Sequence, residues 1–235
     1  MLLGVGELNA HYGKKQVLDR LAISVTEGEV VALIGPNAAG KSTTMRCILG
    51  LKQPSGGAIS FMGQRIDTMG TAQRVRAGLV LVPEGRQVFT KFTVLENLLM
   101  GAYHRPDRAH VGDDLKLMFA LFPRLEERRT QKAGSMSGGE QQILAIARGL
   151  MSRPKLLLMD EPSLGLAPIV MEEIAHSIRT LSARGLSILV AEQNASFALR
   201  MADKGYVIES GTVALGGDAS SLSKEPRVRQ NYLGQ

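Results

Sequence analysis

The chain has 235 residues, of which 44% are hydrophobic, a composition typical of a folded globular protein and not of a disordered segment. Its apolar stretches, such as Val30–Ile34, are far shorter than the roughly 18 residues of a membrane-spanning helix, and Met1–Gly4 lacks the features of a secretory signal. The net charge of +6 comes from scattered basic residues and there is no Trp, so we expect no nucleic-acid partner. The single Cys47 cannot form an internal disulfide, which fits a reducing compartment.

In chain order, the first predicted elements are β strands. Leu21, Ile23 and Val25 alternate with polar residues, as expected for a strand with one buried face. The continuous apolar run Val30–Ile34 predicts a strand buried on both faces. A glycine-rich turn and a helix over Gly40–Leu49 come next. The following predicted elements are a strand at Ala58–Phe61, a polar helix around Thr68–Arg76 and a strand at Leu79–Val82.

The middle of the chain has a different character. From about residue 87 to residue 133, apolar side chains recur at helical spacing, so we predict an α-helical subdomain inserted into an α/β core. The core is then formed by residues 1–86 and 134–235 of a single 1–235 domain. After the insertion the predicted elements are strand Lys155–Met159, helix Pro168–Leu181, strand Ser187–Ala191, helix Ala195–Ala202 and a hairpin of Tyr206–Glu209 with Val213–Leu215.

The turn after the buried strand matches the phosphate-loop pattern G-x-x-x-x-G-K-[ST]. Backbone N–H groups of such a loop and the positive end of the next helix bind phosphate. Lys41 would neutralise the β- and γ-phosphate oxygens, and the Ser42 hydroxyl is a predicted Mg²⁺ ligand. Ala38 stands where these loops usually have glycine, so we expect weaker phosphate binding. The predicted nucleotide-binding residues here are Gly35, Pro36, Asn37, Ala38, Ala39, Gly40, Lys41, Ser42 and Thr43.

An acidic pair follows a second apolar run. Leu156–Met159 predicts a buried strand that ends in Asp160 and Glu161, and in a parallel sheet this end lies beside the phosphate loop. Asp160 is a predicted Mg²⁺ ligand, and Glu161 a predicted general base that orients the attacking water. The pattern alone fits a strand running into a turn equally well; the upstream Lys41 favours the catalytic interpretation.

About twenty residues before the acidic pair lies the sequence Ser-Gly-Gly-Glu-Gln-Gln. Ser137 and Glu140 fit a capping box, which predicts the start of a helix without any function. A cap does not require Gly138 and Gly139, however. Two residues without Cβ atoms leave bare N–H groups at a positive helix end, which indicates an anion site.

With these motifs the chain resembles the ABC ATPase family over essentially its full length. The resemblance implies a P-loop NTPase core of ABC type with an antiparallel β subdomain and an inserted α-helical subdomain. It also implies that two subunits pair head to tail, so that Ser137, Gly138 and Gly139, with Glu140 in the same signature, contact the γ-phosphate of ATP bound by the partner. Tyr12 matches the aromatic residue that stacks on adenine in this family.

Two departures from the family pattern narrow the resemblance. Glu84 stands at the position of the Mg²⁺-contacting Gln, and Gln193 at the position of the switch His, so the implied catalytic set is Glu161, Gln193 and Glu84. The glutamine amide donates a hydrogen bond but does not take up or release a proton, which argues against a His–Glu dyad. The segments that contain Glu84 and Gln193, together with the loop Ser163–Ala167, are similar to those of the smaller ATPase subunit of branched-chain amino acid uptake systems. The resemblance implies that this loop signals between the two ATP sites.

The resemblance implies ATP and Mg²⁺ as cofactors and a location on the inner face of the cell membrane. The implied partners are a second ABC ATPase subunit, identical or not, integral membrane permease subunits and, indirectly, a substrate-binding protein. Three alternatives remain open at this point. One is transport of another solute, such as urea, another amide or a lipid. The others are a soluble ABC ATPase of translation or DNA repair and a non-catalytic regulator.

Overall fold

The computed structural model describes residues 1–233, so the last two residues of the predicted domain lie outside the described residues. The labelled elements are, in chain order, β1 (Leu3–Tyr12), β2 (Lys15–Val25), β3 (Val30–Ile34), α1 (Lys41–Leu49), β4 (Gly56–Phe61), β5 (Gln64–Arg65), α2 (Thr71–Ala77), β6 (Leu79–Val82), α3 (Val94–Gly101), α4 (Val111–Leu121), α5 (Pro123–Glu127), α6 (Gly138–Leu150), β7 (Leu156–Asp160), α7 (Pro168–Ser182), β8 (Ser187–Glu192), α8 (Ala195–Met201), β9 (Lys204–Glu209), β10 (Thr212–Asp218), α9 (Ala219–Leu222) and α10 (Pro226–Val228). Short 3₁₀ turns at Arg108–His110 and Ala133–Ser135 and a π-helical turn at Arg229–Leu233 are also present.

The larger sheet has the strand order β10-β9-β3-β8-β7-β6. Five of its strands run parallel, and β10 pairs antiparallel with β9 at one edge. In register, Ile34 of β3 lies beside Glu192 of β8, and Asp160 of β7 lies beside Ala191. The carboxyl ends of these strands are therefore level, and the segments that follow them meet at one edge of the sheet.

The central strands of this sheet are buried on both faces, as the continuous apolar runs predict. In β3, Val30 and Ala32 point into one hydrophobic core, while Val31 and Leu33 point into another. The first core contains residues of α6, α7 and α8; the second contains residues of α1 and of the smaller sheet. Because neither face meets water, the strands need no polar alternation.

The smaller sheet is antiparallel, with the strand order β2-β1-β4-β5. The alternation of Leu21, Ile23 and Val25 is confirmed, since all three side chains are buried in the core shared with α1. The polar helix is shorter at its start than predicted: α2 begins at Thr71 because Gly70 is extended, with φ −70° and ψ 158°, and forms its N-cap. The two sheets give the predicted fold class, an α/β core with an antiparallel β subdomain.

Between β6 and β7 the chain is helical. Helices α3, α4 and α5 contribute buried residues to the core that α6 shares with the larger sheet, among them Leu98, Met118 and Leu125. Arg105 is buried and binds Asp107 at 2.8 Å and Asp114 at 2.6 Å, which ties the α3–α4 connection to α4. None of the helices in residues 1–233 combines the length and the apolar character needed to span a bilayer.

Helix α3 approaches α6 so closely that a side chain at Gly101 has no room. A Cβ atom there would collide with the carbonyl oxygen of Arg148. We expect Gly101→Ala to lower the free energy of unfolding by about 1–3 kcal/mol, because one of the two helices must shift. Gly112 in α4 is the matched control, since a Cβ atom there has nothing within 4 Å. Urea unfolding should show Gly112→Ala to be neutral or stabilising; equal destabilisation by both would contradict the close approach.

Candidate functional site

A cleft of about 640 Å³ opens at the carboxyl edge of the larger sheet. It lies among the segments that follow β1, β3, β6, β7 and β8. The predicted site residues that line it are Tyr12, Asn37, Ala38, Ala39, Gly40, Lys41, Ser42, Thr43, Glu84, Glu161 and Gln193. The fold thus brings together predicted site residues from five distant parts of the chain.

The segment between β3 and α1 curls around the Lys41 side chain. Its ammonium group donates hydrogen bonds to the carbonyl oxygens of Gly35 at 2.7 Å and Pro36 at 3.1 Å. Ala38 has a φ of 63°, the left-handed conformation expected of glycine at this position. For a residue with a Cβ atom this conformation costs roughly 1–2 kcal/mol, so the loop is strained at Ala38.

Lys41 and Glu161 form a nearly buried ion pair. Lys41 Nζ lies 3.0 Å from Glu161 Oε1, and the two side chains are only 4% and 10% exposed. The other oxygen, Glu161 Oε2, accepts the backbone N–H of Gln193 at 3.0 Å. Glu161 itself has a positive φ of 49°. Its carboxylate is therefore held in one place by contacts from two other segments.

Asp160 is buried beside the phosphate loop. Its Oδ1 accepts a hydrogen bond from the Ser42 hydroxyl at 2.9 Å. Burial raises the pKa of the Asp160 carboxyl; the Ser42 bond opposes this change, while repulsion from Glu161 and Glu84 adds to it. A cation would relieve that repulsion. Hydroxyl and carboxylate oxygens are also the donors that Mg²⁺ takes alongside phosphate and water, so Ser42, Asp160 and Glu84 fit this metal.

Tyr12 is at the rim of the cleft, 44% exposed. Lys52 Nζ lies 4.7 Å from the centre of the Tyr12 ring, within the range of a cation–π interaction. The packing therefore gives Tyr12 an orientation in the cleft while leaving much of its surface open.

The Ser-Gly-Gly element is at the start of α6 and, among the described residues, takes no part in lining the cleft. The predicted capping box is confirmed. Glu140 N–H donates to Ser137 Oγ at 3.3 Å, and Ser137 N–H donates to Glu140 Oε2 at 2.9 Å. Arg128 forms an ion pair with the same glutamate, with Nε 2.9 Å from Glu140 Oε1.

Gly138 and Gly139 also have a packing role that the sequence does not reveal. A Cβ atom on Gly138 would lie 2.5 Å from Arg86 Nη1, and one on Gly139 would lie 3.0 Å from Val170 Cγ2. Both glycines therefore pack closely within their own chain, although the neighbour of Gly138 is the end of a flexible Arg side chain that can shift, and Val170 leaves little room beside Gly139. Their presence alone is weaker support for a second subunit than sequence reasoning suggests.

Sequence reasoning missed Glu192 as a residue of the site. This side chain is 0% exposed and accepts hydrogen bonds from the Ser163 N–H and hydroxyl, both at 2.9 Å. Burial raises the pKa of the Glu192 carboxyl to about 7, with the Ser163 bonds acting in the opposite direction. The only available signal was a carboxylate at the end of an apolar run, which does not show which residue it contacts.

The strand–loop–helix with its lysine, the Ser42–Asp160 pair and Glu161 at the same sheet edge define a P-loop nucleotide hydrolase. A family model described as "ABC transporter" matches residues 18–164, more than half of the chain. The chain therefore belongs to the ABC transporter family and is an ATP-hydrolysing subunit of that family.

Individual relatives are similar to this chain over almost its whole length. A high-affinity branched-chain amino acid transport ATP-binding protein, BraG of Pseudomonas aeruginosa, is 44% identical and aligns over 99% of this chain and 100% of its own length. A lipopolysaccharide export system ATP-binding protein, LptB of Acidithiobacillus ferridurans, is 34% identical over 99% and 97%. The ADP conformation of an ATP-binding cassette of an ABC transporter superposes with a TM-score of 0.87 at 28% identity, covering 100% of this chain and 99% of that one.

Proposed function

We propose that this ATPase subunit powers the uptake of branched-chain amino acids through a membrane permease. The observation that carries the proposal is the full-length similarity to BraG, at 44% identity against 34% for LptB. The Glu84 and Gln193 departures, which match the smaller ATPase subunit of such uptake systems, support it. The subunit would act at the inner face of the cell membrane, and a substrate-binding protein would deliver solute to the permease.

ATP would occupy the cleft at the carboxyl edge of the sheet. Tyr12 would stack on the adenine, and the backbone of residues 35–43 would bind the phosphates. Phosphate oxygens would compete with Glu161 for the Lys41 ammonium, because the two groups lie only 3.0 Å apart. Binding of ATP thereby frees the Glu161 carboxylate from its ion pair.

Mg²⁺ fits the oxygen donors of Ser42, Asp160 and Glu84, and when bound it would supply positive charge beside the phosphates. The remaining steps of hydrolysis are carried out by side chains of the protein. Glu161 accepts the proton of the attacking water. The Gln193 N–H holds the Glu161 carboxylate in place. The Gln193 side chain donates a hydrogen bond to the γ-phosphate but transfers no proton.

Two subunits would form the complete site. The N-terminus of α6 carries Ser137, Gly138, Gly139 and Glu140, and these residues lie away from the cleft of their own chain. We propose that they meet the γ-phosphate bound by the partner subunit. The loop Ser163–Ala167 would lie between the two ATP sites and report the state of one to the other.

The permease would bind at a groove between α2, β6, α3 and α6. This groove of about 240 Å³ is lined by apolar side chains, including Phe89 and Met100, which are 44% and 38% exposed. Arg148 at its floor donates to the carbonyl oxygen of Gln87 at 2.8 Å, and the Gln87 amide donates to the carbonyl oxygen of Glu84 at 3.4 Å. A change in the backbone at Glu84 can therefore reach the groove through Gln87 and Arg148.

Deletion of this chain tests the solute. We expect the deletion to abolish uptake of radiolabelled leucine, isoleucine and valine, and the wild-type chain to restore it. A Glu161→Gln chain should not restore uptake although it still assembles with the permease. Normal branched-chain amino acid uptake, with loss of urea, amide or lipid transport instead, would contradict the proposed solute. Persistent association with ribosomes or DNA and not with a permease would contradict the transport function itself.

A further inference from the structure

A buried carboxylate that the proposed hydrolysis steps do not use contacts the start of the loop Ser163–Ala167. Glu192, the last residue of β8, binds the Ser163 N–H through Oε1 and the Ser163 hydroxyl through Oε2. The next residue, Gln193, donates its N–H to Glu161 Oε2. The end of β8 thus holds both Glu161 and the first residue of the loop Ser163–Ala167.

Apart from the two Ser163 bonds and a backbone hydrogen bond from Asn194, the surroundings of Glu192 supply little to offset its negative charge. Beside it, β3 presents the apolar Ile34, and β7 ends in the acidic Asp160 and Glu161. Lys41 of α1 pairs with Glu161 instead. Within residues 1–233, no Lys, Arg or His nitrogen forms an ion pair with it. The residues of α7 and α8 that share a core with β8 are mostly apolar and include Ile174, Ala175, Ile178, Ala195, Phe197 and Ala198.

A carboxylate is a costly choice for this position if its only role is to bind Ser163. Burying a charge without a counterion is unfavourable, whereas a neutral amide of the same size can make two hydrogen bonds to Ser163 at lower cost. What a carboxylate adds over an amide is a proton that it can gain or lose. Because burial raises the pKa of Glu192 to about 7, both charge states are populated near neutral pH.

We propose that Glu192 is a positioning residue for ATP hydrolysis, whose ionised carboxylate fixes the direction of the Ser163 hydroxyl and so sets the loop Ser163–Ala167 beside Glu161. The inference rests on the proposed role of Glu161 as the base. In the ionised state both oxygens of Glu192 accept, so the Ser163 hydroxyl hydrogen points inward. This arrangement is the competent one.

Protonation of Glu192 reverses the direction of its hydrogen bond with the Ser163 hydroxyl but does not break the contact. A protonated Glu192 donates from one oxygen, so Ser163 Oγ must accept and its own hydrogen turns outward. The outward-facing part of Ser163 then changes from an acceptor to a donor. The next residue of the loop, Leu164, lines the ATP cleft and is 56% exposed. The charge state of Glu192 therefore affects a segment that borders both the cleft and the protein surface.

Steady-state ATP hydrolysis by the assembled ATPase dimer between pH 6 and pH 8 tests this role. We expect wild-type kcat to rise about tenfold over this range, as the ionised fraction of a group with a pKa of about 7 does. Glu192→Gln keeps both contacts but donates to Ser163 Oγ, which fixes the reversed hydroxyl. Between pH 6 and pH 8, the kcat of this variant should stay near the value that wild type has at pH 6, and its ATP affinity should not change. Ser163→Ala should likewise lose the pH step, that is, the tenfold rise of kcat between pH 6 and pH 8.

Glu173→Gln is the matched control, because Glu173 is a partly buried glutamate of α7 whose pKa burial also raises. It should keep the wild-type pH step. A full pH step in Glu192→Gln would overturn the proposal; if that variant does not fold, a full pH step in Ser163→Ala would do the same. Hydrolysis that is unaffected by Glu161→Gln would contradict the proposed base itself, whereas hydrolysis lost in Glu161→Gln with the pH step kept in Glu192→Gln contradicts only the role of Glu192.

Discussion

Replacing Glu161 with Gln is expected to slow ATP hydrolysis at least about a hundredfold while leaving ATP binding intact. The amide keeps the size of the side chain and can still accept the Gln193 N–H, which lies 3.0 Å from Glu161 Oε2. It cannot accept a proton from water. It also removes the negative partner of Lys41, so phosphate oxygens meet no competition there and ATP should bind at least as tightly.

Single-turnover hydrolysis and equilibrium binding of ATP separate these two effects. Glu172→Gln provides the matched control, because Glu172 is 62% exposed on α7, where it pairs with Arg200. That variant should hydrolyse ATP at the wild-type rate. Near-normal turnover in Glu161→Gln would remove Glu161 from the role of base. Loss of ATP binding in the same variant would show that the carboxylate serves mainly to hold the phosphate loop.

Mixing two inactive chains should restore hydrolysis if the Ser-Gly-Gly element acts on the partner's ATP. Ser137→Arg disables the α6 N-terminus, and Lys41→Ala disables the phosphate loop. In a two-fold homodimer, a mixed dimer has one intact site and one site that lacks both elements. Random mixing gives half mixed dimers, so about one quarter of the wild-type rate is expected.

Each chain alone is expected to be nearly inactive, which makes the recovered activity easy to measure. The control mixture combines Ser137→Arg with a chain that carries both substitutions, since no dimer formed from these two has an intact site. Activity in that mixture, or none in the first, would contradict action between subunits. If the natural partner is a different ATPase subunit, the substitutions belong on opposite subunits of that complex.

Much of the fold could be predicted because its signals are local. The apolar runs that form β3, β7 and β8 have no polar alternation, and this indicated strands covered on both faces. The ends of the strands are a different matter: the pattern predicts Val213–Leu215, whereas β10 pairs with β9 over Thr212–Asp218. The partner strand supplies the hydrogen bonds that extend it through Gly216 and Gly217, which have little strand propensity of their own.

The candidate site was predicted in part for the same reason. The phosphate loop, the acidic pair and the capping box are short patterns in which neighbouring residues act together, and their spacing identified them. The pairing of Ser42 with Asp160 spans 118 positions and could only be expected from the parallel order of the strands. The Lys41–Glu161 ion pair depends on the same edge of the sheet.

The sequence by itself determined that this protein has a P-loop core and a Ser-Gly-Gly helix start, because both are specified by consecutive residues. Only the tertiary structure decided that Glu192 is buried against Ser163, and that Gly138 and Gly139 are closed in by Arg86 and Val170. Contacts of this kind join segments that approach one another only after the strands have assembled. No local pattern encodes that approach, so the function of such residues follows from the fold and not from their spacing.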